Sequence, residues 1–329
     1  MIRKSRPIPG LSLISRDLVS VEKLLREETR SDVRLVMEVC HHILGSGGKR
    51  FRPALTLLSG RLAGLTRKKE LLSYATAIEY AHTSSLLHDD VIDEAELRRG
   101  RKSANRLFGN APSIIVGDYL LFKSFALMRT GQNLKVINFM TGIAVDMAEG
   151  EAYQLTQKSR VDLSEKEYER IIRAKTALLI QAACQIPAIA AGAPKRREKA
   201  LAGFAYHLGL AFQISDDVLD YAATDQKWGK QVGKDFLEGK TTLPLIIAYH
   251  RAGRAEQELI RRLFKKPART QADCRRLVKI MRQTDALAAA AGRGRDHVAI
   301  AKKHLAAFPD NPAKKALLEL ADYVMSRTV

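Results

Sequence analysis

The placement of proline limits what this chain can fold into more than any other feature. Its ten prolines leave two long gaps, from Pro53 to Pro112 and from Pro112 to Pro187. Proline lacks an N–H and clashes with the preceding helical turn, so helices of many turns are permitted only where it is absent. The apolar pattern fills the gaps as helices would. Leu55, Leu58, Leu62 and Leu65 recur at three or four residues, and so do Ile78, Ala81, Ser85 and His88. No sustained period-two alternation bounded by hairpin turns competes with this pattern, and the strong helix formers Ala, Leu, Glu, Lys and Arg dominate. The fold class is all-α.

Punctuation by glycine and proline falls at 45–48, 100–112, 192–194, 228–239 and 309–312, and none of these is a long flexible linker. The expectation is one domain over 1–329, with 1–20 a loosely held N-terminal segment. The longest apolar stretch, Ala177 to Ala193, is broken by Gln181, Gln185 and Pro187. It reads as a buried core helix rather than a membrane span. Prolines 7 and 9 leave no apolar run of signal-peptide length, so export is not expected. Cys40, Cys184 and Cys274 stand far apart in no metal-binding spacing. That argues against a disulfide framework and a cysteine zinc site, and for a cytoplasmic location.

The 55 Lys and Arg against 36 Asp and Glu leave a net charge of +19. Such an excess suits nucleic acid, an anionic membrane surface or anionic small substrates, and composition does not choose among them. Aromatic residues make up 6% of the chain and are not interleaved with the basic runs. Single-strand binders need such stacking platforms, so nucleic acid is not the expected partner.

The chemistry is concentrated in an echo. Asp89-Asp90-Val91-Ile92-Asp93 and Asp216-Asp217-Val218-Leu219-Asp220 are both DDxxD within apolar helical surroundings. Residues four apart share a helix face, so Asp89 pairs with Asp93 and Asp216 with Asp220. Carboxylates packed beside leucines are costly unless cations neutralise them, and oxygen donors on a rigid face favour Mg²⁺ completed by substrate phosphates. The spacing is not that of an EF-hand. Gly233 to Thr241, GKDFLEGKT, has five residues between its glycines where a P-loop has four.

Cations for a phosphorylated substrate are supplied by Gly47-Gly48-Lys49-Arg50-Phe51-Arg52-Pro53, by Arg98 and Arg99, and by Lys175, Lys230 and Lys240. His82 lies seven residues before Asp89, on roughly the same helix wall.

Taken together, GGKRFRP, His82 with LLHDDVIDEAELRRG, Lys175-Thr176, FQISDDVLDY and GKQVGKDFLEGKTTLPL resemble, in order, the motifs of the trans-isoprenyl diphosphate synthase (polyprenyl synthetase) family. The chain is most similar to the bacterial octaprenyl and decaprenyl synthases, which make quinone side chains. The resemblance implies a single-domain helical bundle, usually homodimeric, in which both DDxxD motifs face a central cavity. It implies Mg²⁺ held by Asp89, Asp93 and Asp216, helped by Asp90, Asp217 and Asp220. It assigns the grip on the allylic diphosphate to Arg98, Lys175 and Lys240, with Thr176, Gln213 and Lys230 nearby, and makes Lys175, Gln213 and Lys240 the catalytic set. Lys49, Arg52, His82 and Arg99 resemble the pocket for isopentenyl diphosphate.

Product length in this family is set beside the first DDxxD, where short-chain members carry bulky aromatics. Here Ser84 and Ser85 stand, with Ala81 and Ala77 on the turns below. A stripe of small residues leaves a groove for a growing tail, or lets a neighbouring helix pack closely. The leading reading is a long-chain polyprenyl diphosphate synthase. A short-chain farnesyl or geranylgeranyl synthase and a non-catalytic regulatory subunit are the alternatives. The segment 227–240 is a candidate lid, and the cationic excess suits a peripheral contact with an anionic membrane where a greasy product leaves.

Overall fold

The computed structural model describes residues 10–222 and 232–326, and they are almost wholly helical. A 3₁₀ turn, Leu11–Ile14, leads into α1 (Ser15–Glu27), α2 (Arg34–Gly45), α3 (Phe51–Ala63) and α4 (Lys68–Ile92). The strands β1 (Leu97–Arg98) and β2 (Arg101–Lys102) follow, then α5 (Ala104–Phe108), α6 (Asn110–Met128), α7 (Leu134–Thr156) and α8 (Glu165–Ile172). After a π-helical turn at Arg173–Ala177 come α9 (Leu178–Ala190), α10 (Lys195–Ala222) and α11 (Lys234–Leu237). The chain ends with α12 (Leu243–Arg251), α13 (Arg254–Lys265), α14 (Gln271–Gln283), α15 (Ala286–His304) and α16 (Pro312–Ser326).

By contacts the chain divides into two compact units, neither of them contiguous. One takes the described residues of Met1–Ile143, Leu179–Ala202 and Leu305–Leu320; the other takes those of Ala144–Leu178, Gly203–His304 and Ala321–Val329.

In the first unit, α3 and the middle of α4 are buried almost all round. Leu55 and Leu58 are fully buried, as the periodicity anticipates, but so are Ala54, Thr56 and Leu57 between them. These are core helices rather than amphipathic ones. Helix α1 closes one side, where the Tyr80 hydroxyl donates to the Leu25 carbonyl at 2.8 Å. Of residues 1–20, expected to be loosely held, 1–9 lie outside the described residues, and the remainder is anchored by a few side chains. Ile14 is fully buried, and the Asp17 carboxylate pairs with Arg61 at 2.6 Å and Lys68 at 3.2 Å.

Helix α6 runs along α4. Its span Asn110–Gly131 is, among the described residues, the one helix long and apolar enough to cross a membrane, and only a third of that window is buried. Ile114, Ile115 and Phe122 lie exposed on it.

The second unit has its own core, in which Phe236 and Phe264 meet edge to face at 5.2 Å among Leu245, Ile246, Ile260, Leu277 and Met281. Capping boxes at Ser164/Glu167 and Thr270/Asp273 start α8 and α14.

Two glycines bring neighbouring helices close to the π-helical turn. A Cβ on Gly150 of α7 would fall 1.9 Å from the Ala174 Cβ, and one on Gly209 of α10 would fall 2.5 Å from the Ala177 Cα. Gly150→Ala and Gly209→Ala should each cost about 1–3 kcal/mol by overpacking. That exceeds the roughly 1 kcal/mol alanine gains over glycine in a helix. Both variants are expected to melt below wild type; a Tm at or above wild type would mean that the helices part without strain.

Candidate active site

The first acidic motif occupies the last turn of α4. Asp89 and Asp93 lie half-buried on one face, and the Asp93 N–H donates to the Asp89 carbonyl at 2.8 Å to close the helix. Asp90, one residue round, is completely buried. The tight hairpin of β1 and β2, with positive φ at Arg99 and Gly100, turns Arg98 back onto it. Arg98 Nε donates to both Asp90 oxygens at 2.9 and 3.2 Å, and Nη2 donates to Oδ1 as well. Burial works against the Arg98 charge, but Asp90 outweighs it and holds the guanidinium more firmly charged than usual. The motif therefore divides its work: Asp89 and Asp93 form the carboxylate face, whereas Asp90, grouped with the metal ligands from sequence, is tied up in fixing Arg98.

Farther back on α4, half-buried His82 is held well below its ordinary pKa, first by burial and then by Arg52, Arg99, Arg98 and Arg50. The structure thus gathers Arg52, His82, Arg98 and Arg99, three of which were anticipated as one anion pocket. A Cβ on Gly48 would lie 2.9 Å from Arg99 Nη1, so this glycine lets that guanidinium lie against bare backbone. Lys49 is exposed at the N-terminal edge of α3.

Arg50 has a different task, which nothing local in the sequence announces. Its guanidinium donates to Glu79 Oε1 at 2.8 Å and also grips Glu22, so its charge is spent within the fold.

The second motif, on α10, shows the same division. Half-buried Asp216 keeps company with Asp217, which is buried and accepts hydrogen bonds from the Tyr168 hydroxyl at 2.6 Å and Gln213 Nε2 at 2.8 Å. The Thr176 hydroxyl donates to Gln213 Oε1 at 2.6 Å. This chain of bonds ties α10 to the π-helical turn that carries Lys175, whose Nζ lies 3.6 Å from Glu151. An extra residue in a helical turn redirects the side chains around it, and such turns gather at functional sites.

Asp220 accepts the N–H groups of Lys234 and Asp235 at 3.1 and 3.0 Å. It thereby anchors the segment leading to Lys240, which itself pairs with Glu238 at 2.8 Å. Residues 227–231 of the candidate lid, with Lys230, lie outside the described residues.

Burial, opposed by its two hydrogen bonds and reinforced by Asp216 and Asp220, pushes the Asp217 carboxyl up to about 7. Asp220 is raised as well, chiefly by burial, and Asp235 is raised well above the usual range by burial and by Asp220 and Asp217. Crowded, buried carboxyls of this kind are the donor set that a hard divalent cation relieves. Among the described residues no three His, Cys, Asp or Glu side chains converge into a ready metal cage. Mg²⁺ is commonly bound by one or two carboxylates and completed by phosphate and water oxygens, so the residues fit it. Tyr168 and Asp235 were not singled out from sequence, because their partners are distant in the chain.

The small-residue stripe lies in the seam between α4 and α6. Ala77, Ala81 and Ser84 are buried and Ser85 is half-buried. On the same face, His88 lies against Gly117 of α6, and Tyr74 lies against Gly131 at the end of the α6 span.

The polyprenyl synthetase family model matches residues 33–281. An octaprenyl diphosphate synthase of Haemophilus influenzae is 38% identical over 94% of this chain and 93% of its own length. The chain belongs to the polyprenyl synthetase family. Among solved structures of its relatives, a decaprenyl diphosphate synthase from Rhodobacter capsulatus superposes with a TM-score of 0.92 at 38% identity, over 97% of this chain and 98% of that one. A polyprenyl synthase from Caulobacter crescentus, complexed with calcium and isoprenyl diphosphate, gives 0.93 at 38% identity, over 99% and 100%.

Two outcomes separate the roles within this synthetase site. Asp90→Ala should destabilise the fold by an amount approaching roughly 3–5 kcal/mol, reduced by whatever solvent reaches Arg98, because it strands a charge. Asp89→Ala should stay within about 1 kcal/mol of wild type. Equal thermal shifts would contradict this division.

The second outcome concerns pH. His82 in the fold is depressed below its reference value of 6.5. Its neutral form therefore contributes stability above that pH, and the contribution is lost as pH falls, when only the unfolded chain takes up the proton. Wild type should lose stability below about pH 6.5 more steeply than His82→Gln, as followed by denaturant midpoints.

Proposed function

We propose that this protein condenses isopentenyl diphosphate with an allylic diphosphate to build a long all-trans polyprenyl diphosphate of the kind used for quinone side chains. The observation that carries the reading is the pair Asp89 and Asp93, half-buried together on one face at the end of α4, beside an arginine-rich pocket around a neutral histidine. Relatives named octaprenyl and decaprenyl synthases support the long-chain product.

Mg²⁺ would supply electrostatic stabilisation to the departing diphosphate, held by Asp89 and Asp93 and by Asp216. Arg98, Lys175 and Lys240 grip that diphosphate. Arg98 is pre-positioned by Asp90 and therefore needs little reorganisation. Lys49, Arg52, Arg99 and His82 hold the isopentenyl diphosphate, with His82 adding a hydrogen bond but no further charge. The allylic C–O bond breaks, the isopentenyl double bond attacks the resulting cation, and a proton is lost to the departing diphosphate. No protein nucleophile is needed. The residues position the reactants and keep water away.

The exposed apolar face of α6, with Ile114, Ile115 and Phe122, supports a homodimer, since a patch of this kind seeks a partner. Three buried cysteines without disulfides support a cytoplasmic location. A second reading, a shorter product, is favoured by the packing of α6 along the stripe that would otherwise house a tail.

Purified protein with Mg²⁺, farnesyl diphosphate and labelled isopentenyl diphosphate should yield long-chain alcohols after dephosphorylation. Asp216→Ala should abolish turnover; turnover near the wild-type rate would overturn the metal assignment. Ser84→Phe should shorten the product to about farnesyl or geranylgeranyl length, and Ala77→Phe, about 10 Å lower on α4, should give intermediate lengths. If both variants make the wild-type product at the normal rate, the stripe serves helix packing alone.

A further inference from the structure

The basic excess is unevenly spread. Residues 254–282, covering α13 and α14, contain ten Lys and Arg against three acidic residues. One acid, Asp273, is buried in the capping box of α14 and pairs with Lys266; another, Glu258, pairs with Arg261.

On α14 the outward positions Arg275, Arg276, Lys279 and Arg282 are all exposed, and at helical spacing they fall within one arc. Among the described residues none of the four has an ion pair. The opposite face is core: Cys274, Leu277, Val278, Ile280 and Met281 are buried. The helix is thus divided sharply, with one side apolar and the other uniformly cationic.

The apolar side does more than pack. Cys274 lies against Gly233, whose positive φ of 71° and lack of a Cβ let the two meet, and Gln271 Nε2 donates to the Val232 carbonyl at 3.2 Å. Val232 and Gly233 begin the segment that Asp220 anchors and that ends at Lys240. Helix α14 therefore backs one half of the candidate site while turning four unpaired cations to solvent.

We propose that this cationic face is a docking surface for an anionic phospholipid bilayer. A flat array of mobile headgroup charge complements a stripe of unpaired Lys and Arg without demanding a defined geometry, and clusters of four or more such residues on an amphipathic helix suit anionic lipid. No aromatic side chain lies among the four outward positions to stack on nucleic acid bases. Docking this face brings the segment behind α14 within about one helix diameter, roughly 10 Å, of the membrane surface. The charge argument is independent of the proposed reaction; the preference for lipid over other polyanions rests on it, because its product carries an apolar tail that must leave water.

The test is co-sedimentation with vesicles of phosphatidylcholine alone or mixed with phosphatidylglycerol, at low and high salt. Wild type should bind only the mixed vesicles, and less at high salt as the charges are screened. Each cation near such a surface is worth about fivefold in affinity, so R275Q/R276Q/K279Q/R282Q should weaken binding by roughly a hundredfold or more. R275K/R276K/R282K, which keeps the charge, should retain binding. Turnover in solution should be the same for all three proteins. Unchanged binding by the neutralised variant, or tighter binding of wild type to duplex DNA than to mixed vesicles, would overturn the proposal. Lack of turnover in wild type would count against the proposed reaction and not against this surface.

Discussion

Burying a carboxylate beside an apolar helix core is tolerable only when something compensates its charge, and much of this structure is organised around that requirement. Asp90 takes a forked arginine; Asp217 takes a tyrosine hydroxyl and an amide; Asp220 takes two backbone N–H groups. Apart from Gln213, which shares α10 with Asp217, the compensating groups belong to other elements, so each satisfied carboxylate also fixes a neighbour: the β-hairpin with Arg98, helix α8 through Tyr168, and the segment before Lys240. Asp89, Asp93 and Asp216 lie half-buried beside these satisfied carboxylates.

The same economy governs the positive charges. Arg50 is held between Glu22 and Glu79, and His82 is kept neutral first by burial and then by the charges of Arg52, Arg99, Arg98 and Arg50. A pocket built this way presents dense positive charge to an anion while its own hydrogen-bonding histidine adds none, so binding an anion relieves repulsion already present. Glycine serves the site by omission: Gly48 makes room for Arg99, and Gly150 and Gly209 let helices close upon the turn that redirects Lys175.

Two helices, one in each unit, have two faces of unlike chemistry. On α6 the inner side meets α4, while the outer side leaves Ile114, Ile115 and Phe122 in water; on α14 the inner side braces Val232 and Gly233 while the outer side is cationic. An apolar face and a charged face call for different partners, a second protein surface in one case and an anionic one in the other.

The sequence by itself determined the all-α class, because long proline-free stretches with three-to-four periodicity admit little else. It also determined the family, because two DDxxD motifs in order with glycine-flanked and paired basic residues are the pattern of polyprenyl synthetases. Arg52, His82 and Arg99 were grouped from the sequence in that way, and the structure adds Arg98 to the charges that act on His82. Tertiary structure decided the division of labour among identical letters. Asp89 and Asp90 are both aspartate, and Arg50 and Arg52 both arginine. Which of each pair serves the fold depends on Arg98 folding back eight residues later, and on Glu22 and Glu79 arriving from other helices. The role of Tyr168 and the seam that α6 forms along the small-residue stripe were hidden for the same physical reason. A helix fixes which way a side chain points from local spacing alone, but what it meets there is set by packing between segments distant in the chain.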